Sequence, residues 1–304
     1  MVEHARITAA ICTRDRGEAI RLPLQAVFGG TLQDFKVLVI DQSSDEQTSA
    51  AITEWLSDPR FRYIRTPTRG LSRARNIALA ENESPVLAFT DDDCEPSANW
   101  LQSFFDALQS SERPAMAFSP VSSPVTCGSD SRARGLAPEW RPTAEHRRRS
   151  AWRQPCVGGI GASMALTARA IKRVGGFEPL LGRGSPTVGG EECDFAFRLV
   201  ANGGEVLELT TGGVTHHGFV PEGGLREALR ADLTSVGRAL GLRARQGRLA
   251  AFAQLYHVVG RTGPRATVRN LLRTGWPHGL NRQCWVIRGF AEGLLSGLPH
   301  TMSK

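Results

Sequence analysis

Residues 86–96, Val-Leu-Ala-Phe-Thr-Asp-Asp-Asp-Cys-Glu-Pro, read as an uncharged strand that runs abruptly into carboxylates. The same construction occurs twice upstream. Residues 7–12 (ITAAIC) lead into TRDRGE, and residues 36–40 (KVLVI) lead into DQSSDEQT. Short continuous apolar runs suit strands of a parallel sheet covered on both faces. Helix-like stretches at about 17–28, 46–56 and 71–82 lie between them. Strand–helix alternation of this kind predicts an α/β fold with right-handed crossovers. In such sheets ligands bind beyond the carboxyl ends of the strands. All three polar clusters fall at those ends.

Three adjacent carboxylates, Asp91, Asp92 and Asp93, repel one another unless a cation neutralises them. Alternate residues of an extended tip face the same side, which pairs Asp91 with Asp93. Hard divalent ions such as Mg2+ or Mn2+ take oxygen ligands, often few from protein and more from phosphate. A solvated acidic turn is the competing reading of an isolated acidic triplet. The motifs in their order decide between the two.

That order is TRDR after the first strand, VLVIDQSSDE after the second, GLSRARNIALA, VLAFTDDDCEP, GGFEP, GGEECDFAFRL and VTHHG. Over residues 5–220 it resembles an inverting family 2 glycosyltransferase with the GT-A, Rossmann-like fold. The resemblance implies a mostly parallel central sheet flanked by helices and a UDP-, GDP- or dTDP-sugar donor. It also implies Mg2+ or Mn2+ on an Asp-x-Asp motif and a carboxylate base. Asp91 and Asp93 match that motif, with Asp93 the metal ligand and Asp91 facing the metal or the nucleotide; Asp92 lies between them on the donor side. Asp41 matches the acid that contacts the nucleoside, although DQSS stands where the family often has DDGS or DNGS. Thr13, Arg14 and Asp15 fall in the first nucleotide loop, and Arg75 and Asn76 match the family's ARN segment. In the Gly-Glu-Asp-x-Asp pattern the second acid is the base, which puts Glu192 there with one extra methylene; Glu191 is the alternative, and Asp194 matches the acid inside the helix, structural or acceptor-binding. A histidine after the last strand can reach the metal. His216 sits there and His217 is adjacent, but neighbours on a strand face opposite sides, so at most one serves.

The chemistry needs these groups. An acceptor hydroxyl is a poor nucleophile at neutral pH, and a carboxylate in hydrogen-bond reach can take its proton. A departing nucleoside diphosphate builds negative charge, which a bound cation stabilises.

The remaining sequence is read more coarsely. Residues 119–155, rich in Pro, Ser and Arg, are expected as a mobile loop or insertion within a catalytic domain of residues 1–224. Residues 182–190 form a Gly-rich loop, a candidate lid. Residues 225–304 read as a basic amphipathic helical extension. Leu225, Leu229, Leu233, Val236 and Leu240 share a face there, and Gly241, Gly247, Gly263-Pro264 and Pro277 are expected to break it.

The chain carries a net +7, yet residues 225–304 hold 13 Lys+Arg against 3 Asp+Glu, while residues 1–224 hold 24 against 27. The basic tail is not interleaved with aromatics at a known motif spacing, which argues against nucleic acid as a partner. It suits an anionic membrane surface, an anionic acceptor or a protein partner better than a duplex. A membrane- or nucleic-acid-surface protein with an inactive nucleotide-sugar domain is the alternative. The acceptor is a saccharide, a lipid-linked intermediate or a small metabolite. Six scattered cysteines show no zinc spacing and read as free thiols. With no signal-peptide pattern and no 18-residue apolar run, the expected location is cytoplasmic, including the inner membrane face.

Overall fold

The computed structural model describes residues 5–124, 135–136, 139–156, 159–218, 220–221, 224–261 and 280–296. Four strands, β1 (Ile7–Thr13), β2 (Phe35–Asp41), β3 (Phe61–Arg65) and β4 (Val86–Asp91), form a parallel block. Pairing sets Thr13 beside Asp41 and Cys12 beside Asp91, so the three strands that end in polar clusters stop at one level. The block continues through β10 (Ser163–Thr167), β6 (Ala115–Phe118) and β11 (Glu205–Glu208) to β9 (His146–Arg148), in the order β3-β2-β1-β4-β10-β6-β11-β9. β10 runs antiparallel to both of its neighbours, and β11 lies parallel to β6.

Both faces of this sheet are covered, which is why the strands read as continuous apolar runs. Ile7, Ala9 and Ile11 face one core with α1 (Arg21–Phe28) and α4 (Trp100–Gln109). Ala10, Leu38, Leu87 and Phe89 face the other, with α3 (Leu71–Glu81), α5 (Ala168–Val174), α6 (Glu191–Ala201) and α7 (Leu225–Arg245). The short α2 (Gln47–Ala51) follows β2. A small sheet of β5 (Cys94–Pro96), β12 (Val214–His216) and β7 (Val121–Ser122) stands beyond the end of β4, and β8 (Gly135–Leu136) pairs with β13 (Val220–Pro221).

The expectation of a mobile loop over 119–155 fails at residues 146–148, which form the edge strand β9. Three consecutive arginines hide that strand from hydrophobic patterning. Here their charges meet buried acids: Arg149 Nε donates to Glu205 Oε2 (2.6 Å), Arg147 Nη1 to Glu205 Oε1 (3.3 Å) and Arg148 Nε to Glu208 Oε1 (2.6 Å). Cys127 lies outside the described residues; the other five cysteines are free thiols.

The tail also differs from its reading. Gly241 does not break α7 but lies inside it. With Gly237 it faces Gly289 and Gly293 of α9 (Leu280–Ser296). A Cβ at Gly237 would come 2.0 Å from Val286 O, and one at Gly289 would come 2.0 Å from Thr234 O. Gly241 and Gly293 meet Phe290 O and Arg238 O in the same way, at 2.1 and 2.2 Å. Contacts at a constant offset along both chains mean that the helices run parallel, and glycines four apart on each let their backbones touch. Gly247, at φ +79, does end the helical run before α8 (Ala250–Tyr256). Gly263-Pro264 and Pro277 lie outside the described residues.

Candidate active site

The alternation expected at the tip of β4 is present. Asp92 turns inward, accepting from Thr13 Oγ1 (2.7 Å) and Arg16 Nε (3.2 Å), and burial pushes its carboxyl up to about 6 against those two opposing partners. Asp93, in the turn after β4, shares that guanidinium and accepts from Arg16 Nη2 (2.6 Å), while Asp91 lies toward Arg75. Antiparallel pairing of β5 with β12 sets His216 opposite Cys94, and brings His216 Nε2 to 3.6 Å from Asp93 Oδ1. One ligand atom each from Asp91, Asp93, Cys94 and His216 lies within 4.8 Å of the others. His217 points away, with Nε2 3.1 Å from Glu95 Oε2, while its backbone N–H donates to Asp93 O (2.8 Å).

Two carboxylates suit a hard divalent cation. Cys94 suits it poorly, because sulfur is a soft ligand and such ions take oxygen. His216 fits with a condition. Gly218 N–H donates to its Nδ1 (3.1 Å), so the neutral ring carries its proton on Nε2. Coordination through Nε2 requires the proton to move to Nδ1 and that contact to open.

Opposite this group stands the N-terminus of α6, which begins at Gly190 with φ +87. Arg75 of α3, 2% exposed, bridges the two acidic sides. Its Nη1 donates to Glu191 Oε1 (2.8 Å), and its Nη2 lies 3.8 Å from Asp91 Oδ1 and donates to Gly161 O (3.3 Å). Glu191 is 5% exposed, and its Oε2 is buried without a hydrogen-bond partner among the described residues. Half-buried Glu192 pairs with no other side chain among the described residues. Burial first, and then the charge of Glu191, push its carboxyl up to about 8, with Arg75 opposing.

Arg75, Asp91, Asp93, Glu191, Glu192 and His216 line one cleft of about 620 Å³, within the range of small-molecule sites. Other expected residues are committed elsewhere. Thr13 and Asp92 reach the cleft wall but are pinned to each other, and Arg75's donors are spent on Glu191 and Gly161 rather than standing free for a nucleotide. Arg14 lines the cleft and pairs with Asp15 (3.2 Å). Asp15 turns from it at φ +54 and accepts from Ser44 N–H (2.9 Å) and Oγ (3.0 Å). Asp41 is fully buried, accepting from Ser43 N–H (2.8 Å) and Tyr63 Oη (2.7 Å). Asn76 is spent at both ends on the Phe177 backbone, at 2.8 and 2.7 Å. Asp15, Asp41 and Asn76 hold loops and α3 in place, and none of them lines the cleft.

Asp194 does not line the cleft. It faces away from the cleft and accepts from Arg198 Nε (2.8 Å) and from Arg243 Nε (2.5 Å) and Nη2 (2.8 Å). Arg243 belongs to α7, so this pair clamps the tail onto the helix that carries Glu191 and Glu192. Arg243→Met is expected to lower stability by about 3–5 kcal/mol, because a buried carboxylate loses one of its two cations. A denaturant midpoint within error of the wild type would dismiss the clamp.

Four cleft residues were not expected as site residues: Arg16, Gln42, Arg183 and Asp232. Arg16 and Gln42 directly follow expected site residues, and their neighbourhood was the available signal. Arg183 lies in the 182–190 loop expected as a lid, and Asp232 is brought in only by the packing of α7.

A family profile described as Glycosyl transferase family 2 matches residues 8–175. The match spans β1 to α5 and stops short of α6 and β12. A chondroitin synthase of Escherichia coli is 27% identical over 105 residues, 34% of this chain and 15% of that protein, so the chain spans a small part of this relative's length. Residues 1–349 of S. aureus TarS share the fold with a TM-score of 0.59 at 12% identity, covering 96% of this chain and 82% of that one. The mannosyltransferase PcManGT from Pyrobaculum calidifontis, solved in complex with GDP-Man and Mn2+, gives 0.58 at 15% identity, covering 97% and 88%. At these identities the two structures speak for the fold.

Proposed function

Since the chain belongs to glycosyl transferase family 2, we propose that it moves a sugar from a nucleoside-diphosphate donor to an acceptor hydroxyl with inversion. The observation that carries this reading is one cleft with the Asp91–Asp93–His216 group on one wall and the Glu192 carboxyl on the other. Asp91 and Asp93, with His216 in its other tautomer, would hold Mg2+ or Mn2+. When bound, such an ion neutralises the charge that grows on the departing diphosphate. Glu192 takes the proton of the acceptor hydroxyl as its oxygen bonds to the anomeric carbon and the bond to the diphosphate breaks. A single displacement inverts the anomeric centre and needs no enzyme nucleophile. Arg75 keeps the two acidic walls in register and offsets their repulsion. Arg14, Arg16 and Gln42 line the nucleotide end.

A panel of UDP-, GDP- and dTDP-sugars, read by thermal shift and by nucleotide release with Mn2+ or Mg2+, tests this. Binding raises the melting temperature by mass action. Binding without turnover on any acceptor or water would leave only a nucleotide-sugar binder, and neither binding nor turnover would overturn the proposal.

The acceptor side includes a membrane role. Among the described residues no helix is long and apolar enough to cross a bilayer. However, Leu249, Phe252 and Tyr256, spaced three and four apart around α8, are 46–64% exposed, and Trp152 beside them is 60% exposed. Arg245 and Arg248 are exposed at the same end. Aromatic and aliphatic tips with flanking arginines suit the face of an anionic bilayer, where a lipid-linked acceptor is presented from the cytoplasmic side. Phe252→Glu with Tyr256→Glu is expected to reduce sedimentation with anionic phosphatidylglycerol vesicles at least about tenfold, given the apolar area lost. Equal sedimentation of both proteins would remove the membrane role. Deletion of 225–304 is a poorer test, because α7 is clamped to α6.

A further inference from the structure

The acceptor end of the cleft is short of hydrogen-bond donors. Three carboxylates line it with unmet accepting capacity. Glu191 Oε2 is buried with no partner, Glu192 pairs with no other side chain, and Asp232 has neither a hydrogen bond nor an ion pair, all among the described residues. Asp232 arrives from α7, whose Ser235 carbonyl oxygen would lie 2.9 Å from a Cβ on Gly190. A Cβ on Gly189 would lie 3.5 Å from Asp232 Oδ1. The first turn of α6 and the rim of α7 therefore form one wall, with Asp232 and Glu192 on it.

We infer that this wall receives a neutral, hydroxyl-rich acceptor, and that Asp232 is the residue that orients it, accepting a hydrogen bond from a hydroxyl beside the reacting one. The inference rests on the proposed transfer reaction and names the class of its acceptor. Each sugar hydroxyl brings an O–H donor to an oxygen that lacks one, and hydrogen bonds to a charged group are the stronger kind. An acceptor carrying a carboxylate or phosphate at its reacting residue brings acceptors and negative charge instead. It would meet the charge of Asp232, with Arg183 the cation that acts on that carboxyl. Asp232 sits at the exposed rim, and the surrounding protein still holds its carboxyl above the usual range against Arg183. Glu192, in the same wall, is raised in part by the charge of Asp232. Further anionic charge is thus disfavoured at the place where the proton must leave.

The test uses the full chain, Mn2+ and the nucleotide sugar selected by the donor panel. Methyl glycosides of neutral hexoses are compared with glucuronic acid and glycerol phosphate, reading sugar transfer against donor hydrolysis. Neutral acceptors should be favoured by about tenfold or more, the worth of one charged hydrogen bond. Asp232→Asn should raise the acceptor KM and lower the ratio of transfer to hydrolysis by a similar factor, with partial rescue by Asp232→Glu. Preference for the acidic acceptors, or an unchanged ratio in Asp232→Asn, would overturn the inference alone. Should no sugar be glycosylated, inhibition of donor hydrolysis by the neutral glycosides, lost in Asp232→Asn, is the expected result, and its absence overturns the inference. No donor binding or hydrolysis in the wild type sinks both this inference and the proposed reaction.

Discussion

Glu192→Gln is expected to lower turnover by about 10²–10⁴-fold, the usual worth of a general base, while metal-dependent donor binding persists. The amide keeps the size of the side chain and loses the lone pair that takes the proton. The pH profile separates this from a structural effect. The Glu192 carboxyl is pushed up to about 8 by burial and by Glu191. Its basic form is therefore the minor one at neutral pH, and kcat/KM should rise about tenfold per pH unit until roughly pH 8, then level off. The Glu192→Gln protein should lack that limb. Stability should move the opposite way. A carboxyl whose folded pKa is raised favours the fold in its neutral form, and ionisation erodes stability as pH climbs from the unfolded value near 4.5 to about 8. The melting temperature of Glu192→Gln, relative to wild type, should thus climb across that window and then hold. Unchanged activity in this variant would refute the assignment of Glu192 and move the base to Glu191, whose Oε1 is already held by Arg75.

Asp93→Ala should cost about a thousandfold or more in turnover and remove its dependence on Mn2+, since cation stabilisation of a leaving diphosphate is worth several kcal/mol. Asp93 is the acid that His216 Nε2 approaches and that Arg16 Nη2 contacts at 2.6 Å. Its loss frees Arg16, which stays tethered to Asp92 at 3.2 Å and can approach the site as a partial substitute cation. Residual activity should therefore be independent of metal, and a Mn2+ titration of nucleotide release reads this directly. Asp92→Asn gives the contrast. That side chain braces Thr13 and Arg16, so metal dependence should persist. If Asp93→Ala kept its Mn2+ requirement and Asp92→Asn lost it, the alternation argument at the tip of β4 would be wrong.

How much of this site could be read from sequence depends on the range of the interaction involved. The strands β1, β2 and β4 were legible because burial on both faces leaves an unbroken apolar run, and a run that stops in charge marks the edge where ligands bind. The opposed directions of Asp91 and Asp92 follow from a period of two. The same local rules miss β9, because Arg147 and Arg148 become strand-compatible only beside Glu205 and Glu208, more than fifty residues away. They also admit Asp15, Asp41 and Asn76, which stand in motif positions yet spend their polar atoms on Ser44, on Ser43 and Tyr63, and on Phe177. A motif records which residue types are present and is silent on which donor reaches them first.

By itself the sequence determined the layered α/β frame, the level at which its strands end, and the acidic tip of β4. Each follows from backbone periodicity and from the cost of exposing apolar surface, which act over a few residues. Only the tertiary structure decided that Arg75 bridges Asp91 and Glu191, that His216 and not His217 turns toward Asp93, and that α7 brings Asp232 to the cleft while Arg243 clamps Asp194. Those outcomes turn on pairing buried charges between elements far apart in the chain, and a buried charge takes its partner from whatever the packed fold sets beside it.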